Sequence, residues 1–229
     1  MRVEGLSVPY SIPADNIMSV VLMVCAFLSA MIVMRSNKIL LLRIRALFIR
    51  TTNLSNYRHT IQDSRDELFL TGVAVLSMAL LSYSTQMTYF YSDHILQPYI
   101  VMLIYAGIFT AFFMLKKLLY MLTIPVYCTI PEWRTWKYTF RFIPALYGLL
   151  ILPITLIHIY LRLSFKITLI LVFTAITIGL FTKIYNAWSI FFRRKRLYVP
   201  FFLYLCTLEI APLALLAGTL LSVAEALKG

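Results

Sequence analysis

The sequence predicts an all-α fold: a polytopic transmembrane helical bundle of about six spanning helices, with interfacial helical segments beside them. Three observations predict it. Of 229 residues, 61% are hydrophobic and only 13% charged, whereas soluble domains are about half apolar and a quarter charged. The apolar residues gather in runs of a length suited to crossing about 30 Å of hydrocarbon, which takes about 20 residues of helix. Lys and Arg then cut these runs apart, and they crowd into alternate links. Apolar runs occupy most of the length, so residues 1–229 read as a single integral membrane domain with no separate soluble one.

Residues 1–16 are polar and mixed, and the first span is expected at about 17–34. Its leading flank lacks a positive excess and its basic residues follow it, so it is not read as a cleaved signal peptide. From Lys38 to Arg50 a helical wheel places Leu40, Leu41, Ile44, Leu47 and Phe48 in one charge-free arc. Lys38, Arg43, Arg45 and Arg50 fall on the remaining side. The expectation is a basic helix at 38–50 lying in the headgroup layer, its cations reaching anionic lipid; a plain basic extension of the first span is the blander reading. Residues 51–67 form the longest polar stretch. Asp63, Asp66 and Glu67 at its end suit a helix N-terminus, where carboxylates meet the positive end of the dipole.

The second span is expected at about 68–89, ending in Tyr89, Phe90 and Tyr91. The third is expected at about 99–115, closed by Lys116 and Lys117. The following uncharged run, 118–131, is short and contains Pro125, so it reads as an interfacial or re-entrant segment; a third helix that slides deeper, with Lys116 and Lys117 buried or snorkelling, is the other possibility. The fourth span, about 142–160, carries Pro144 in its first turn and Pro153 near its centre, where a kink or loosening is expected. The fifth span, about 167–190, leads into Arg193, Arg194, Lys195 and Arg196, a second candidate contact for anionic lipid. Pro200 opens the sixth, about 201–224. Seven glycines suggest no small-xxx-small array for tight helix packing.

Segments 35–67, 116–141 and 183–196 hold 17 of the 21 Lys and Arg residues. Cytoplasmic loops carry the basic excess, so both termini are expected outside the cytoplasm. The net charge of +12 is accounted for by topology and anionic headgroups, and nucleic acid is not expected as a partner. The partners expected are membrane lipids and another membrane protein.

Chemistry-bearing residues are few. Glu209 is the one acidic residue deep inside an expected span, and an intramembrane carboxylate is expensive enough to be a site by default. It lies eight residues after Phe201, about 12 Å in at 1.5 Å per residue. Lys183 lies eight residues before Phe191 on the preceding, antiparallel helix, at the same depth. A Lys183–Glu209 ion pair is therefore expected, with Asn186 and Tyr204 nearby. Pro212 has no N–H to offer the Leu208 carbonyl one turn back. His94 and His158 both fall at the outer end but read as plain polar residues. The three cysteines show no metal or disulfide spacing. No nucleophile–base set and no phosphate-cradling glycine loop is recognisable, so no catalytic residue, metal or cofactor is expected.

Two stretches carry a resemblance. Tyr10 to Asn16 (YSIPADN), with the exit of the first span at Met34 to Lys38 (MRSNK), is one. The other is Tyr204 to Leu213, YLCTLEIAPL. Together they resemble an uncharacterised family of multi-spanning inner-membrane proteins from Bacteroidota, known only as a domain of unknown function. The resemblance implies a cytoplasmic-membrane home and brings no activity to any residue. The reading that follows is a non-enzymatic scaffold or accessory subunit of a cell-envelope complex. A small proton-coupled or solute transporter built on Glu209 and Lys183 is the alternative.

Overall fold

The computed structural model describes residues 16–48, 61–89, 98–127, 130–161, 163–195, 202 and 205–226. In chain order these form α1 (Asn16–Phe48), α2 (Ile61–Tyr89), α3 (Pro98–Tyr127), α4 (Ile130–Leu161) and α5 (Phe165–Lys195). A π-helical turn, Leu205–Ile210, then runs directly into α6, Ala211–Ala226. Strands are absent among the described residues. Six helical stretches are long and apolar enough to cross a membrane: Met18–Arg35, Arg65–Gln86, Tyr99–Leu122, Ile143–Leu161, Phe165–Tyr185 and Leu205–Ala226. Their outer faces keep large apolar side chains uncovered, among them Phe27, Leu103, Phe173, Phe181 and Leu221, each more than 60% exposed. A water-soluble surface rarely carries apolar patches on that scale.

The centre of the bundle is the α2–α4 pair. Half of each of their spans is buried, against 17–28% for the other four. Small residues bring these two helices together. A Cβ on Gly148 would stand 2.5 Å from the Leu70 carbonyl oxygen and 3.3 Å from the Ala74 Cβ, so only glycine admits this approach. Ala145 packs on Leu70 just beside it. Thr155 Oγ1 donates back to the Ile151 carbonyl at 2.9 Å and lies 3.3 Å from the Ser77 carbonyl across the interface. The close approach rests on Gly148 facing Ala74 across two helices, and i,i+4 spacing along one helix does not reveal such a pairing. On α6, Ala214, Gly218 and Ser222 do stand at four-residue intervals, and all three are exposed.

The remaining helices surround this pair. Met18 and Leu22 of α1 join Leu80 and Tyr83 of α2 with Val101, Tyr105 and Phe109 of α3 in the largest buried cluster. Leu216, Leu220 and Val223 of α6 pack on the same cluster from outside. The last helix leans on α3, whereas α5 packs on α4 and α1. Single neutral hydrogen bonds pin helices pairwise at one end of the bundle. Tyr105 of α3 donates to Gln86 Oε1 of α2, and the hydroxyls of Ser19 (α1) and Tyr160 (α4) lie 3.0 Å apart. His158 Nδ1 of α4 lies 2.8 Å from Thr168 Oγ1 of α5. Thr168 Oγ1 also lies 3.2 Å from the Ser164 carbonyl oxygen.

One expectation changes. α3 continues without a break to Tyr127, so 118–127 is not a separate interfacial or re-entrant segment. Pro125 sits in the final turn, and Lys116 is buried where a helix boundary was expected. Residues 38–48 continue α1 in one helix. α4 passes through Pro144 and Pro153 as one helix, with Pro153 on an exposed face.

A buried three-helix ion cluster as the candidate functional site

Glu209 sits in the π-helical turn, and the sequence explains the turn. Pro212 offers no N–H to the Leu208 carbonyl, and a π adjustment is one of the ways an apolar helix re-pairs freed backbone groups around proline. The wider turn ends at Ile210, and Pro212 follows as a buried residue of α6. Such turns recur at functional sites.

Glu209 is 1% exposed, and side chains from two other helices hold it. Lys183 Nζ of α5 donates to Glu209 Oε2 at 3.3 Å. Lys116 Nζ of α3 donates to the same oxygen at 2.9 Å. Tyr120, one helical turn beyond Lys116 and hence on the same face, donates its hydroxyl to Glu209 Oε1. Both lysines are at least nine-tenths buried. Lys116 lies 18 residues after Pro98 and Lys183 lies 18 residues after Phe165, so each stands about 27 Å along its helix. The two cations therefore reach the carboxylate at one level of the bundle.

Packing fixes the lysines. The Tyr147 ring of α4 lies 5.5 Å from Lys183 Nζ, within cation–π range. Gly179, one turn before Lys183, gives that ring its place, because a Cβ there would overlap the Tyr147 ring. The Phe112 ring, one turn before Lys116, lies 5.2 Å from Lys116 Nζ. Gly179, Tyr147, Lys116 and Tyr120 were not anticipated as site residues. The paired Lys116 and Lys117 read as a helix end, yet Lys117 alone faces outward.

Of the other sequence candidates, Asn186 lies in α5 without a described side chain, and Tyr204 lies outside the described residues. Lys38, Arg43 and Arg45 belong to α1, and Arg193, Arg194 and Lys195 to α5, again without described side chains. Arg50, Arg196 and His94 lie outside the described residues. Among the described residues, no three His, Cys, Asp or Glu side chains come together as a metal site. Cys25 and Cys206 are free thiols.

A helical bundle with six membrane-length apolar helices and a charged cluster sealed among three of them defines the class: a polytopic helical protein of membrane type. Residues 18–220 match the family described as Domain of unknown function (DUF4271), and the chain belongs to that family. No curated protein matches the chain, and no solved structure does.

Proposed function

We propose that the chain is a non-enzymatic scaffold or accessory subunit of a cell-envelope complex, and that the Glu209 cluster is the lock that fixes its last helix. The observation that carries this reading is the engagement of Glu209. Both carboxylate oxygens accept from described side chains, with cations arriving from α3 and α5. A carboxylate held on both oxygens is suited to positioning a helix. The helix it positions keeps most of its surface free, since Pro212 is the buried residue of α6. Within this reading the protein sits in a bacterial inner membrane with both termini periplasmic, supported by the one-sided Lys and Arg distribution. Lys38, Arg43, Arg45, Arg50 and Arg193 to Arg196 then meet anionic headgroups on the cytoplasmic face.

The test is affinity purification of the tagged full-length protein in mild detergent, comparing wild type with Glu209→Gln. A stoichiometric membrane-protein partner with wild type, lost or weakened with the variant, is expected. Recovery of a clean monomer or homo-oligomer would contradict the reading. It would move weight to a transporter, which the π-helical turn and the presence of two lysines around one carboxylate favour as second reading. Proton flux into vesicles, abolished by Glu209→Gln, would then support transport.

A further inference from the structure

Three helices run on past their apolar stretches, and all three do so at the same end of the bundle. The hydroxyls of Ser19 and Tyr160 pair the start of α1 with the end of α4. His158 and Thr168 pair the end of α4 with the start of α5. At that pinned end the apolar stretches begin at Met18 and Phe165 and finish at Leu161. The opposite ends of α1, α4 and α5 therefore lie together, and each of the three helices packs on the other two. There, residues 36–48 of α1, 130–142 of α4 and 186–195 of α5 continue as helix beyond the apolar stretches. They hold nine Lys and Arg residues against one acidic residue, Glu132. The links that follow α1 and α5, residues 49–60 and 196–204, hold no acidic residue, so the neighbouring chain adds no counter-charge.

The cations gather at one level. Arg45 stands 26 residues after Ser19, Arg134 stands 26 before Tyr160, and Arg194 stands 26 after Thr168. At 1.5 Å per residue, each is about 39 Å from the pinned end. Arg43, Arg193 and Lys195 fall within two residues of the same count. α1 contains neither proline nor glycine, two usual causes of a sharp kink. An average tilt of about 20° shortens the height by only about 2 Å. The hydrocarbon core is about 30 Å thick, and each polar layer adds about 5–8 Å. A level about 37–39 Å from one edge of the hydrocarbon lies at the far limit of the opposite headgroup layer. Headgroups reach it from the membrane side, and its other side meets the aqueous phase. Charges more than about 8 Å apart are largely screened at physiological salt, so a ligand on the aqueous side must bring its negative charge to the level itself.

We propose that this level of α1, α4 and α5 is a docking surface for an acidic segment of a partner protein, approaching from the side that the proposed orientation makes cytoplasmic. The proposal rests on the accessory-subunit reading and names where, and by what chemistry, the partner is held. Helices packed about 8–10 Å apart make a surface about 20 Å across, which about six extended residues cover. A nucleic acid fits less well, because it is charged along its whole length and would be pressed against the anionic headgroups that adjoin the level.

The experiment uses the full chain in lipid nanodiscs at physiological ionic strength. Binding of a fluorescein-labelled oligo-glutamate peptide is read by anisotropy, in phosphatidylcholine alone and with phosphatidylglycerol added. Arg45, Arg134 and Arg194 are replaced together by Gln. The control replaces Lys38, Lys117 and Arg141 together by Gln, an equal loss of charge; Lys38 and Arg141 each stand 19 residues from the pinned hydroxyls, about 10 Å short of the level. Wild type is expected to bind saturably in both lipids. The level variant is expected to bind about tenfold more weakly, and the control within about threefold of wild type. Absent binding, equal losses in the two variants, or binding confined to phosphatidylcholine each overturns the proposal. So does tighter binding of a single-stranded oligonucleotide of equal charge. Should the level variant fail to fold, wild type decides: carbodiimide coupling of the peptide carboxylates is expected at Lys195, and coupling at Lys38 or Lys117 instead contradicts the placement. The peptide measurement needs no native partner, so a clean monomer in the affinity purification sinks the accessory-subunit reading separately. A native partner that the level variant still retains sinks only the docking surface.

Discussion

The two ends of the bundle are held in different ways. At one end, neutral hydrogen bonds tie helices two at a time: Tyr105 to Gln86, His158 to Thr168, Ser19 to Tyr160. Toward the other, a single carboxylate gathers two lysines and a tyrosine, so that α3, α5 and the last helix meet at one point. Neutral bonds between apolar helices average about 0.6 kcal/mol and reach about 1.7 at most. Breaking a buried ion pair from one side costs about 3–5 kcal/mol, because a charge is left without its partner. The neutral end adjusts helix pairs. The charged cluster ties the start of the last helix to α3 and α5.

Substitutions at the two ends are therefore expected to differ in size. Glu209→Gln is expected to have the largest effect, a loss of about 3–5 kcal/mol, since it strands two ammonium groups at once. Denaturant unfolding of the purified protein would read it, and a loss no greater than that of a neutral-bond variant would erase the contrast. Lys116→Met and Lys183→Met come next, at about 1.5–3 kcal/mol each, because the other lysine still neutralises Glu209. Lys116→Met should be the more damaging, as its bond is the shorter one, 2.9 against 3.3 Å. An order reversed in the unfolding midpoints would show that distance is a poor guide here.

Gly179→Ala sharpens the comparison from a second direction. The added methyl displaces the Tyr147 ring and with it the aromatic face beside Lys183. A loss of about 1–3 kcal/mol is expected for overpacking of this kind. Placing Tyr147→Phe in the same background tests the route, because a smaller ring substituent should recover part of the loss. The smallest effect is expected at the neutral end: Tyr105→Phe should cost no more than about 1.7 kcal/mol. Fluorescence-detected melting would resolve it, and a loss matching that of Glu209→Gln would mean that the two ends are held alike.

The same contrast explains what was legible in the sequence. Helix number and approximate position follow from apolar run length and from where cations interrupt it, as for Ile143–Leu161 and Phe165–Tyr185. The approach of Lys183 to Glu209 follows from depth, since the two sit equally far from a shared basic link. Lys116 was not legible by that rule, because a lysine beside another lysine reads as the end of a span. Only three-dimensional packing separates a cation that turns inward from its neighbour, Lys117, that turns out. Gly148 and Gly179 were equally opaque: each is small because of a residue on another helix, Leu70 and Tyr147 respectively. The π-helical turn is half-legible. Pro212 announces disturbed backbone pairing, but not that the disturbance lies ahead of Ile210 and carries Glu209.

The central claim, that one carboxylate and two lysines act as a unit docking the last helix, is tested most directly by a double-mutant cycle. Unfolding free energies would be measured for wild type, Glu209→Gln, Lys116→Met and the combined variant. Once Glu209 is gone, Lys116 is an unpaired buried charge, so its removal should cost nothing or restore stability. The combined variant is then expected to lose at least about 1 kcal/mol less than the two single losses together. Losses that add within about 0.3–0.5 kcal/mol would show the two residues to be energetically independent, and would contradict the account.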